Sequence, residues 1–342
     1  DYYYNLEGAR MSCVIEDSDG NLYVGTMNNG LYMIDGNKKW LNYLPKKDIT
    51  CIYEDSKKSI WVGTKDDGLF RLDRNGGITN YGTAPHQNML SSSYVRCIVE
   101  DNLGNYWIGT FKGLDKLNAA TGTFTHYSKD NKPYSLSNSS IICMMKDRQG
   151  TFWIGTYYGG EIYTYYYPDE AQKGKLTSPF AGRMIEDSKG GIWIATEGGG
   201  VNYLDRKTRT FTEYKHDVSK NSLASNTIQS LFLDEDNQAL WIGTLRGGLD
   251  RLDLKTYRFT NYRYNAEKKN SLINDIVRKI IPYKGNLLLA THNGIGLFNP
   301  ETGECVKLLN DSRLNNRQII DMLVDKKNNL WFSYSLGLIK YN

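Results

Sequence analysis

A β-propeller of four-stranded blades is the fold this sequence predicts, and three observations predict it. A short phrase recurs eight times, its copies stand about one blade apart, and no stretch shows the apolar period of a helix. The copies read VIEDSDGNLYVGT (14–26), IYEDSKKSIWVGT (52–64), IVEDNLGNYWIGT (98–110), MMKDRQGTFWIGT (144–156), MIEDSKGGIWIAT (184–196), LFLDEDNQALWIGT (231–244), IIPYKGNLLLAT (280–291) and MLVDKKNNLWFSY (322–334). Their central residues Tyr23, Trp61, Trp107, Trp153, Trp193, Trp241, Leu288 and Trp331 are 38, 46, 46, 40, 48, 47 and 43 residues apart, the period of a propeller blade.

Each copy divides into strands a to d. An apolar run such as Thr50 to Tyr53 reaches an Asp-rich turn and is followed by Ile60 to Thr64, whose β-branched and aromatic residues favour extended backbone. After a polar loop containing Gly comes an alternating stretch such as Leu69 to Asp73, then a turn and Ile78 to Tyr81. Strand d recurs at Phe124 to Tyr127, Phe211 to Tyr214 and Phe259 to Tyr262. The Gly of the Trp-x-Gly-Thr phrase lets neighbouring sheets approach, and the Trp fills space between them.

Asp17, Asp55, Asp101, Asp147, Asp187 and Asp325 each hold one turn. One carboxylate per turn falls short of the roughly six to eight oxygens calcium takes, so these residues are expected to cap turns. Cys13, Cys51, Cys97 and Cys143 all precede a turn Asp by four residues. Equivalent sites on stacked sheets stand about 10 Å apart, beyond disulfide reach, so free thiols are expected. Cys305 has no evident partner.

The ends of the chain bear on the blade count. The eighth copy stops at Asn342, where strand c ends, while Tyr2 to Leu6 looks like a strand d with no blade of its own. Pairing these two would close a ring, so one eight-bladed propeller domain over residues 1–342 is the favoured reading. The alternative is a seven-bladed ring whose remaining repeat belongs to a neighbouring propeller.

Composition narrows the function classes. Hydrophobic residues make up 40% and charged residues 23%, with a mean hydropathy of −0.55, and no apolar run nears the roughly 20 residues of a membrane helix. No direct membrane insertion is expected. Residue 1 falls within folded-looking sequence, so a leader or anchor is expected outside these residues. The formal charge of +4, from 42 basic and 38 acidic residues, is spread without a basic block, which argues against nucleic acid. Four His and no CxxC pair leave little for acid–base or metal chemistry, and neither cofactor nor metal is expected.

The phrase Glu-Asp-x-x-Gly-x-Leu-Trp-Ile-Gly-Thr followed by Gly-Gly-Leu-x-x-Leu-Asp, complete from Trp241 to Asp253 and nearly so from Trp193 to Asp205, resembles the two-component regulator propeller repeat. The resemblance covers essentially the whole chain. It implies the periplasmic sensor region of a hybrid two-component system, part of a larger membrane-anchored receptor that is fused to a histidine kinase and responds to oligosaccharides. The family's usual arrangement adds an immunoglobulin-like domain, a membrane helix, a kinase and a DNA-binding output. The implied partners are an oligosaccharide, the remaining domains of the same receptor and a second copy in a homodimer of the full-length protein. The family's rings are usually seven-bladed, which departs from the count of eight.

The leading reading is therefore a non-catalytic sensor, with a propeller lyase or hydrolase and a pure interaction scaffold as alternatives. In a propeller the b-to-c loops project on one face. By register they supply Lys65, Asp66, Phe111, Lys112, Tyr157, Tyr158, Glu197, Arg246, His292 and Tyr334 to an expected ligand site at the mouth of the channel. Flat rings beside charged groups suit a sugar, which alternates C–H and O–H surfaces. The enzyme alternative needs convergent acids or histidines. His126 and His216 fall on or beside strand d, leaving His86 and His292 on the loop face with Asp66, Asp67 and Glu197. Copy four places Glu161 where others have Leu31, Leu69, Val201 or Leu249, followed by Ile162 and a run of tyrosines. A one-residue register shift is the simpler account of that departure, an aromatic contact patch the functional one.

Overall fold

A computed structural model describes residues 2–4, 9–35, 39–82, 88–130, 135–157, 163–164, 177–178, 180–309, 314, 317–335 and 337–341. The fold is an all-β propeller, with no α-helix among these residues. Every copy of the repeat forms its own sheet. Seven sheets have four strands, six of them in chain order, as in Ile49–Glu54, Ile60–Thr64, Leu69–Leu72 and Ile78–Tyr81, which pair antiparallel. Copy four shows three, Ile141–Lys146, Phe152–Thr156 and Tyr163–Thr164. Eight complete blades are thus not found among the described residues, and seven complete ones fit the seven-bladed alternative.

Two compact units are present, residues 1–173 with 323–342 and residues 174–322. Within the first, Tyr2–Tyr4 pairs with Gly337–Tyr341, so the N-terminal strand serves as strand d of copy eight, as the sequence led one to expect. Copy four carries the expected shift. Tyr163 lies opposite Ile154, one residue later than the count by which Phe70 lies opposite Val62. Glu161, Ile162 and Tyr158 lie outside the described residues, as does His86.

Strand b is buried along its whole length in most copies, Ile60–Thr64 and Tyr106–Thr110 among them, while strand d alternates with solvent. A buried strand flanked by sheets on both faces wants apolar side chains throughout, which is what Trp-Ile-Gly-Thr supplies. Its Gly marks a close approach. A Cβ on Gly109 would fall 2.5 Å from Cys97 Sγ and 2.6 Å from Ile141 Cγ2 of the next sheet. Cys97 lies opposite Gly109 in the ladder, as Cys51 lies opposite Gly63, so the thiol fills the space the Gly leaves. All five cysteines are free thiols, in line with the spacing argument. Burial pushes Cys51 up to about 12 and Cys97 well above its ordinary value, so both stay protonated.

The turn aspartates are structural, and their role is wider than a cap. Asp55 is buried; its Oδ1 accepts the N–H groups of Lys57 (2.9 Å) and Ser59 (2.8 Å), and its Oδ2 accepts Trp61 Nε1 (2.8 Å). The same indole bond ties Trp107 to Asp101, Trp153 to Asp147 and Trp331 to Asp325, at 3.1, 2.9 and 2.8 Å. This bond accounts for the six-residue Asp-to-Trp spacing in these four copies; at the same spacing in copy five, Asp187 Oδ2 instead accepts the Tyr203 hydroxyl at 2.9 Å and the Trp193 Nε1 has no hydrogen-bond partner among the described residues. The acid that precedes the turn Asp serves between sheets. Glu54 accepts Ser18 N–H (2.7 Å) and Oγ (2.6 Å), and Glu100 accepts Ser56 N–H and Oγ, both at 2.7 Å.

Candidate functional site

The b-to-c loop is pinned at both ends by the backbone. Thr64 Oγ1 donates to Gly68 O (2.7 Å), Lys65 N–H to Asp48 O (3.0 Å) at the entry of its own strand a, and Gly68 N–H to Ser93 O (3.0 Å) at the entry of the next sheet. Gly68 has φ +82°, and a Cβ there would come within 2.8 Å of Tyr81 O, so this position admits only Gly without strain. The same anchor, the N–H after the Thr, fixes Phe111 on Tyr94 O (3.0 Å), Tyr157 on Ser140 O (2.8 Å) and Glu197 on Phe180 O (3.0 Å). The register of the sequence reading therefore holds: these residues occupy one position, with fixed backbone and outward side chains.

In the first unit one of them, Phe111, meets a cation from strand a. Strand a carries a β-bulge between Val95 and Cys97, and the extra residue is Arg96. A bulge re-aims the side chain it carries. The Arg96 guanidinium lies 4.8 Å from the Tyr94 ring centre and 5.2 Å from that of Phe111, and these two rings stack 6.2 Å apart at 13°. Its Nη1 donates to Ser140 Oγ (3.0 Å) and Ile141 O (3.2 Å), beside the carbonyl that holds Tyr157. Phe111 keeps 50% of its surface exposed and Tyr157 39%, large values for aromatic rings on fixed loops. The result is a rigid platform of one cation and exposed aromatic faces.

The other expected residues behave differently. Lys65, Asp66 and Lys112 are exposed, and beside Lys65 and Asp66 the neighbouring Asp67 pairs with Lys47. Tyr334 is a correction: it ends strand Leu330–Tyr334 and is buried, because its ring belongs to the sheet rather than to a loop. In the second unit Glu197 and Arg246 are exposed, and the Arg246 carbonyl accepts Arg263 Nη2 at 2.9 Å. His292 is partly buried with Nε2 3.3 Å from Nη1 of Arg278, the bulge residue of copy seven. Burial, then the Arg278 charge, hold the imidazole below its ordinary value, so it is neutral at pH 7. His126 on strand d sits 2.7 Å from the buried Asp115 carboxylate, which also accepts Ser91 N–H (2.9 Å) and so anchors the loop entering copy three.

Tyr94 and Arg96 were not singled out by the sequence reading. The position before the strand a Cys holds Ser12, Thr50, Arg96 and Ile142, so Arg96 is the charged exception, and Arg278 repeats it opposite another loop residue. No group of three or more His, Cys, Asp or Glu residues could hold a metal ion among the described residues. No helix among them is long and apolar enough to cross a membrane.

Residues 5–28, 43–66, 89–112, 135–158 and 222–246 match the family described as two component regulator propeller. No curated protein matches the sequence. Among solved structures, the chain is similar to the extracellular domain of a hybrid two component system, BT3049 of B. thetaiotaomicron, at 23% identity and TM-score 0.61, over 97% of this chain and 51% of that one. It thus spans about half the length of that domain. It is also similar to virginiamycin B lyase from Staphylococcus aureus (13% identity, TM-score 0.56, 99% and 97% covered). YCF48 from Cyanidioschyzon merolae is a third (11% identity, TM-score 0.58, 100% and 98% covered). At identities this low the structural likeness shows the propeller fold alone.

Proposed function

We propose that this chain, which is built from two component regulator propeller repeats, is a non-catalytic sensor module of a hybrid two-component system, placed outside the cytoplasmic membrane. Its ligand is an oligosaccharide, and its signal passes to a histidine kinase in the rest of the receptor. The family match and the likeness to an extracellular domain of a hybrid two component system support the sensor class. The observation that carries the ligand class is the Tyr94–Arg96–Phe111 platform with Tyr157 beside it. A sugar ring offers C–H groups to an aromatic face and hydroxyls to a guanidinium, and both are held here by backbone bonds before any ligand arrives.

Calorimetry with a panel of plant and host oligosaccharides tests this reading. Arg96→Met and Phe111→Ala should each weaken the best binder by about 1–2 kcal/mol, or roughly 5- to 30-fold, with an unchanged melting temperature for Phe111→Ala. New reducing ends or unsaturated products would overturn the sensor reading in favour of an enzyme, and undiminished affinity in both variants would remove the platform from the site.

A further inference from the structure

The guanidinium of Arg96 is held at one edge and open at another. Its Nη1 donates to Ser140 Oγ and Ile141 O, and the rings of Tyr94 and Phe111 lie against its plane. Nε and Nη2 make no hydrogen bond among the described residues, and neither atom is sealed from solvent. Together they present two parallel N–H groups, the edge that a carboxylate takes with both of its oxygens. The rings and the Nη1 bonds fix that edge in place, so little ordering is left to pay for when an anion arrives.

At other stacked arginines the chain supplies the carboxylate itself. Arg71 lies over the Trp61 ring at 5.7 Å and brings Nε to 2.9 Å and Nη2 to 3.4 Å from the two carboxylate oxygens of Asp73. Arg251 lies over Trp241 at 5.9 Å and pairs with Asp253 at 3.5 Å. In both, the acid stands two residues after the arginine; two residues after Arg96 stands Ile98. Arg96 is partly buried and, among the described residues, forms no ion pair. Its counterpart at the bulge of copy seven, Arg278, meets the His292 imidazole instead of an exposed carbon ring. Lys112, exposed beside Phe111 and also outside any ion pair among the described residues, adds a second positive charge to the same loop. A partly buried cation is drawn to an anion more strongly than one in open water.

We propose that the Nε–Nη2 edge of Arg96 takes the carboxylate of a uronate residue whose sugar ring lies on Phe111. It rests on the sensor reading and narrows that ligand to oligosaccharides carrying a carboxylate. The carboxylate completes at Arg96 the arrangement that Asp73 completes at Arg71, and the C–H face of the sugar covers the exposed ring of Phe111.

Titration calorimetry of the chain with digalacturonate, a hyaluronan disaccharide and the carboxyl-reduced form of each tests the proposal on the native protein. At least one acidic sugar should bind about tenfold tighter, or more, than its reduced form. Arg96→Lys keeps the charge and loses the two-pronged edge, so that preference should shrink to about threefold or less. Arg96→Gln should abolish it. Phe111→Ala should weaken the acidic and reduced forms alike, because the ring contact does not depend on the carboxylate. Sodium sulfate at the same concentration should leave the acidic sugar bound. The proposal is overturned if neither acidic sugar binds, if Arg96→Gln keeps the preference, or if sulfate displaces the sugar, which would mark a general oxyanion site. Reduced forms that bind as tightly as the acids, and are weakened by Phe111→Ala, would overturn it while leaving the sensor reading standing; no binding by any of the four sugars would count against both.

Discussion

Replacing Asp55 separates two roles of a single carboxylate. Its Oδ1 holds the turn through Lys57 and Ser59, and its Oδ2 holds Trp61 Nε1 and, from the next sheet, the Tyr106 hydroxyl. Asp55→Asn keeps an oxygen for the turn but presents an NH₂ group to the indole N–H. The Tyr106 hydroxyl can rotate and accept from it, whereas the indole cannot. One buried donor is left without a partner, an expected loss of about 1–3 kcal/mol. Asp55→Ala removes the turn cap as well, worth about 1 kcal/mol, and strands both buried donors, for about 3–7 kcal/mol in total. Urea unfolding followed by tryptophan fluorescence measures both. Trp61→Phe removes the stranded donor, so Asp55→Asn in that background should lose about 1–2 kcal/mol less than in the native chain. If the two substitutions at Asp55 were equally damaging, or if Asp55→Asn and Trp61→Phe were strictly additive, the indole bond would not be the reason for the six-residue spacing.

Three further outcomes are expected. Asp250 is fully buried and accepts Ala224 N–H (2.8 Å) and Asn261 Nδ2 (2.7 Å), yet burial outweighs these bonds and pushes it up to about 6 from 3.8. The folded value exceeds the unfolded one, so its contribution is fully present below pH 3.8 and is lost as pH rises through 6. Between pH 4 and pH 8 the stability difference should therefore move by about 2.4 kcal/mol in favour of Asp250→Asn, and a pH-independent difference would contradict the assignment. Iodoacetamide at pH 8 should leave Cys51 and Cys97 unmodified in the folded chain and modify both in urea, as read by peptide mass; rapid labelling without urea would show that burial does not hold these thiols protonated. Gly109→Ala, whose Cβ would meet Cys97 and Ile141, should lower stability by about 1–3 kcal/mol in thermal unfolding, and a neutral result would mean the sheets can separate there without loss.

The repeat made the blades legible because each strand answers to a local rule. Trp61 and Gly63 read as a buried central strand, Ile78 to Tyr81 as a half-exposed outer one, and Tyr2 to Tyr4 as a strand in search of a sheet; all three readings hold. The loop register was equally local, since one Thr and one Gly fix it, and Phe111 and Tyr157 stand where counting put them. Contacts between sheets were not legible in the same way. The Ser56–Glu100 clasp joins residues 44 apart, and no single copy contains both partners. Arg96 escaped notice because its direction depends on a bulge, which appears only when two strands are paired. Tyr334 was misplaced by one step of counting: it stands three residues after Trp331, as Thr64 does after Trp61, and is the last residue of its strand rather than the first of the loop.

Hydroxyl-radical footprinting with the best-binding oligosaccharide of the panel tests the sensor account most directly, because exposed aromatic rings are the side chains that report. The account predicts that saturating ligand protects Phe111 and Tyr157 from oxidation at least threefold while the ligand is recovered chemically intact. Unchanged oxidation of both rings under saturation, or recovery of a cleaved ligand, would contradict it.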